Sequence, residues 1–64
     1  MSEKDVAVVH AMELYGGSFV RALAAAARAA DPINLSKIKA IWPDYWENYA
    51  RLAGSGRLAR AEKR

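Results

Sequence analysis

No cysteine occurs among the 64 residues, and histidine occurs once, at His10. The first absence excludes a disulfide scaffold and any thiolate metal site. With one histidine an ordinary zinc centre lacks ligands, so neither a metal nor a cofactor is expected. Long hydrophobic runs are also missing. The longest, Ala22 to Ala27, has six residues, where a membrane-spanning helix needs about 20. No membrane association is expected. The mixed-charge start Ser2-Glu3-Lys4-Asp5 lacks a secretory pattern, and a cytoplasmic location is expected.

Catalytic signatures are equally scarce. The glycines Gly16-Gly17 stand in neither a GxGxxG nor a GxxxxGK[ST] spacing, so they form no phosphate loop. His10 and Glu13 lie one helical turn apart, but no nucleophile is placed with them. Ser2, Ser18, Ser36 and Ser55 lack an activating motif. A non-enzyme is expected.

Charge is unevenly spread. Up to Ala53, Lys4, Arg21, Arg28, Lys37, Lys39 and Arg51 are balanced by Glu3, Asp5, Glu13, Asp31, Asp44 and Glu47. The net charge of +3 therefore sits in Arg57, Arg60, Lys63 and Arg64 against Glu62. A neutral body with a basic tail argues against a folded nucleic-acid surface, since such domains carry their charge on one face. The division expected is a helical domain over 1–53 and a flexible basic tail over 54–64, beginning at Gly54-Ser55-Gly56.

What is present is helical patterning. Val8, Met12, Tyr15, Phe19, Ala22 and Ala26 recur at spacings of three and four, an apolar stripe of the helical period. Seven of the nine residues from Ala22 to Ala30 are alanine, the best helix former. An uninterrupted or mildly bent helix over 4–30 is expected, although two internal glycines cost roughly 2 kcal/mol. A break at Gly16-Gly17, with Ser18 capping a second helix, is the alternative. Asp31-Pro32 punctuates the chain as an N-cap and first helical residue, with Asn34 a rival cap. Leu35, Ile38, Ile41 and Trp42 then give an apolar face, with Lys37 and Lys39 turned outward. Pro43 bends this arm at Trp42 and opens a further helix reaching about Ala53. Within it Glu47 and Arg51 suit an i,i+4 pair. The fold class is all-α: an antiparallel helical hairpin whose second arm bends at a proline.

Such a short chain buries only about 60% of its unfolded surface. Without disulfides or metal, a homodimer is the natural supplement. Phe19, Ala22, Ala26, Ile38, Trp42 and Trp46 are the residues expected to form the core or the dimer contact. Four of the six aromatic residues fall between Trp42 and Tyr49, and such rings are enriched at the centres of interfaces. Trp42 and Trp46 are expected inside, with Tyr45 and Tyr49 edging a binding surface. Arg21 and Arg28, seven apart on one helical face, are expected to flank the tyrosines and pair with a partner.

The pattern Tyr15-Gly16-Gly17, Phe19-Val20, Ala22-Leu23, Arg28, Ala30-Asp31, Ile38, Trp42-Pro43, Tyr45-Trp46 and Tyr49 resembles short helical proteins encoded by temperate phages and prophages. It spans roughly residues 8 to 53. The resemblance implies a helical protein of the kind that often binds and disables a host protein, such as a transcriptional regulator or a defence component. It carries no binding residues over. The alternative is a nucleic-acid-associated phage regulator acting through the basic tail, whose phosphate contacts would be salt-sensitive.

Overall fold

Ser2 and Asp31 start helices by the same device, a side-chain oxygen accepting a backbone N–H three residues on. Ser2 Oγ takes the Asp5 N–H at 3.1 Å, and Asp31 Oδ1 takes the Asn34 N–H at 2.8 Å. A computed structural model of the protein describes residues 1–54. These form four helices and no strand: α1 (Glu3–Tyr15), α2 (Ser18–Ala29), α3 (Pro32–Ile41) and α4 (Pro43–Gly54). The fold class is therefore all-α. The basic residues of the tail lie outside the described residues. Of the two candidate caps before α3, Asp31 is the cap and Asn34 its donor, with Pro32 at the first helical position.

The joints are very short. Trp42 alone separates α3 from α4, with φ −125° and ψ 62°. The following proline disfavours the helical conformation at this position. Its N–H still donates to Ile38 O at 3.0 Å, and its carbonyl accepts the Trp46 N–H at 3.2 Å. One residue thus closes one helix and opens the next.

The continuous first helix expected from the stripe is not found. α1 stops at Tyr15, and Gly16 and Gly17 are both extended, at ψ 159° and −168°. Ser18 is the first residue of α2 rather than its cap; Gly17 holds the cap position without a side-chain bond. Two halves of one straight helix cannot pack on each other, whereas a break lets α2 fold back onto α1. That gain outweighs continuity.

The break also decides which face of α2 turns inward. Val20, Leu23, Ala24 and Ala27 are buried, a strict i, i+3, i+4, i+7 stripe. Phe19, Ala22 and Ala26, expected in the core or the dimer contact, lie outside the core of the single chain, Phe19 being 52% exposed. Folded against α1, the helix buries the side offering Val20 and Leu23 in place of the one offering mostly alanine.

α1 is the centre of the fold. It packs most extensively against α4 and next against α2, while α3 touches α2 and α4 more lightly. Its buried residues Val8, Val9, Ala11 and Met12 cover about 160° of the helix at ~100° per residue, wide enough to serve two neighbours. Leu35 adds the contribution of α3. α4 buries nothing completely.

Its rings cover the core instead of filling it. Trp42, Tyr45, Trp46 and Tyr49 are all half-buried, so the expected division into inner tryptophans and outer tyrosines is not seen. Ile38 is likewise half-buried, and Ile41, at the end of α3, is 63% exposed. The Glu47–Arg51 pair does not form either. Arg51 Nη2 donates to Asn48 Oδ1 at 2.6 Å.

Gly16 is held by space rather than by dihedral angle. Its φ of −80° is open to any residue. A Cβ there would meet Val20 Cγ1 at 2.5 Å and the Met12 carbonyl oxygen at 2.6 Å, whereas a Cβ on Gly17 meets nothing within 4 Å. Gly16→Ala is expected to cost about 1–3 kcal/mol through overpacking against backbone and a β-branched side chain. Gly17→Ser, which adds a cap and stiffens the unfolded chain, is expected to stabilise by about 0.5–1 kcal/mol. Thermal unfolding followed by circular dichroism separates the two, since ~1 kcal/mol moves Tm by about 4–8 °C in a domain of this size.

Candidate protein-binding surface

Phe19 lies in the first turn of α2, outside the buried stripe. Its ring lies 5.8 Å from that of Trp42, edge-on at 69°, and 5.9 Å from that of Tyr45 at 47°. Edge-to-face geometry at this separation is favourable because ring edges are positive and faces negative. Three helix ends, or their joints, each supply one ring. The cluster stays partly open: Phe19 is exposed, and Trp42 and Tyr45 are half-buried. Tyr49, one turn beyond Tyr45, packs against the core as Trp42 and Tyr45 also do, and makes no ring pair with Phe19. Among the expected contact residues, the structure thus brings Tyr45 to Trp42 and adds Phe19. Phe19 escaped the sequence reading as a surface ring because the stripe through it was taken as continuous.

The arginines stand apart from this cluster. At about 100° per residue, Phe19 and Arg28 point to opposite sides of α2, and Arg21 lies about 160° from Phe19. Arg28 is also engaged. Its Nε and Nη2 donate to Glu13 Oε2 and Oε1 at 2.5 and 2.9 Å, a fork-to-fork pair bridging α1 and α2 across the glycine break. Hydrogen bonding from Arg28 holds the Glu13 carboxyl below its ordinary range, and Glu13 in turn raises the Arg28 guanidinium. Arg21 is exposed, and its guanidinium makes no hydrogen bond or ion pair among the described residues.

Lys39, expected to face water, is half-buried. Its Nζ lies 3.1 Å from Asp5 Oδ1 and 3.2 Å from Oδ2. The same ammonium sits 5.5 Å from the centre of the Trp46 ring, within cation–π range. One lysine of α3 thereby ties the first turn of α1 to α4. Beside this tie, Lys4, Ala7, Val8, Trp46, Ala50 and Ala53 line an apolar groove of about 310 Å³ between α1 and α4.

Among the described residues no group of three or more His, Cys, Asp or Glu is placed to hold a metal ion, and no helix is long and apolar enough to cross a membrane. Compared with protein-family models, curated proteins and solved structures, the chain matches none.

Because Glu13 is depressed in the folded chain, its pairing stabilises above the ordinary glutamate range and is lost as pH falls through the lowered value. Arg28→Gln is expected to return the Glu13 titration to the ordinary range and to remove that acid-side loss. Side-chain carboxyl chemical shifts followed through an acid titration read both.

Proposed function

We propose that the chain is a small, non-enzymatic, homodimeric protein-binding module of phage origin. It modulates or inhibits a host protein, such as a transcriptional regulator or a component of defence or other cellular machinery, in the cytoplasm of the bacterial host. The supporting observation is the open ring cluster of Phe19, Trp42 and Tyr45. Rings held against one another offer a partner large apolar area at little entropic cost, with the tyrosine hydroxyl available for a hydrogen bond. The cluster is anchored on three helices joined by one- and two-residue links, so it is preorganised rather than ordered on binding.

Tyr45 and Phe19 are the contact residues of choice, with Trp42 supporting them. Tyr49, half-buried like Tyr45 and one turn further along α4, extends the same surface. Capture of a host protein from nuclease-treated bacterial lysate, followed by titration with that purified protein, tests the reading. Phe19→Ala and Tyr45→Ala are expected to weaken binding roughly thirtyfold, about 2 kcal/mol each, with helicity retained. Unchanged affinity in both variants refutes the aromatic site.

The confinement of the net charge to residues 57–64 favours one second reading, nucleic-acid binding through the tail. That reading requires capture that disappears on nuclease treatment and on truncation after Gly54, with strong salt dependence.

A further inference from the structure

We propose that residues 55–64, the segment that follows Gly54, turn back on the body and seat Leu58 in the groove between α1 and α4. The proposal concerns a different part of the surface from the ring cluster and does not rest on the function proposed above.

The groove runs between Val8 on α1 and Trp46 and Ala50 on α4, and it reaches Gly54, the last residue of α4. The chain therefore leaves α4 at the wall of the groove itself. A segment tethered there is held at an effective concentration of roughly millimolar, so even a weak contact is populated. Among residues 55–64, Leu58 alone has a large apolar side chain. The chain length fits as well. Gly54-Ser55-Gly56 permits a reversal of direction. From Gly56, two further extended residues reach about 7 Å, and Ala50 lies about 6 Å back along α4 from Gly54 at ~1.5 Å per residue. Leu58 thus comes level with Ala50, midway between Gly54 and Trp46.

The charges around the groove suit this segment. Lys4 and Asp5 line it, but the Asp5 carboxylate is held by Lys39. Helical spacing puts Glu3 beyond Ala7, away from Val8, and Glu47 beyond Ala50, away from Trp46. One carboxylate therefore stands on each flank. Both residues are exposed, and neither carboxylate is paired among the described residues. The nearby Arg51 is turned to Asn48, and His10, one turn past Ala7, acts on Glu13. In the segment, Arg57 and Arg60 stand on either side of Leu58. They supply the opposite charge to Glu3 and Glu47, as Glu62 does to Lys4. A second copy's segment would carry the same charges but would lack the tether.

Because the chain has no cysteine, Ala61→Cys accepts a single nitroxide label in the full chain. Isotopically enriched, nitroxide-labelled chain, diluted into an excess of unmodified chain, is expected to show paramagnetic broadening of the Ala7, Val8 and Ala50 amides. Leu58→Ser in the same labelled chain keeps the tether and every charge. It is expected to reduce that broadening severalfold, with helicity by circular dichroism unchanged. Glu47→Gln is expected to weaken the broadening and to flatten its salt dependence. Broadening confined to Ala53 and Gly54, or unmoved by Leu58→Ser, overturns the proposal. Broadening seen only when enriched, unlabelled chain is mixed with nitroxide-labelled chain gives the groove to the segment of a second copy, and overturns it as well.

Discussion

The missing side chain at Gly16 is the constraint on which the other contacts depend. With a Cβ there, Val20 and the Met12 carbonyl could not both keep their places. The first turn of α2 would then move off the end of α1. Every interaction that follows assumes this closeness. The Glu13–Arg28 fork needs the two helices folded back on each other, and the buried stripe of α2 needs α1 beneath it. Phe19 reaches Trp42 and Tyr45 only because the turn has already chosen which side of α2 faces out. A steric vacancy of one methyl group thus sets the orientation of an entire helix.

What results is a thin core with a broad aromatic cover. Among the described residues Met12 and Val9 are the largest side chains fully buried, and four alanines or valines complete most of the interior around them. The four rings between Trp42 and Tyr49 keep water off this core without entering it. Large aromatics can do this because one side of a ring excludes water while the other remains available. The same property makes a covering ring a ready contact for another protein. On the proposed reading, stability and recognition draw on one set of side chains, which suits a short chain with little apolar surface to spare.

Much of the fold was legible because it is written in local chemistry. Asp31-Pro32 marks a helix start whatever surrounds it, and Pro43 fixes a boundary at Trp42 by its ring and missing donor. The helical period of residues 4–29 is equally local. What the sequence hid was phase. The stripe through Phe19, Ala22 and Ala26 and the stripe through Val20, Leu23 and Ala27 are both apolar, and only the arrangement of α1 distinguishes them. Lys39 was hidden for a similar reason. An alkyl stem with a charged tip suits water or a half-buried partner, and Asp5 is 34 residues away. The candidate site depends on the same choice of phase: Tyr45 is half-buried beside Trp42, Phe19 was hidden by the stripe, and Arg28 is taken by Glu13.

The pairing of α1 with α4 has a consequence for the order in which the chain acquires its structure. α1 and α2 are neighbours in sequence, so their contact closes across two residues and costs little loop entropy. The broadest contact of the fold joins the first helix to the last, and it closes only after the two intervening helices have been spanned. Until residues near Ala50 arrive, the side of α1 around Val8 has no cover and the Asp5 carboxylate waits for Lys39. The Val8 side of α1 therefore stays uncovered through the formation of α2 and α3, and is covered only when α4 docks.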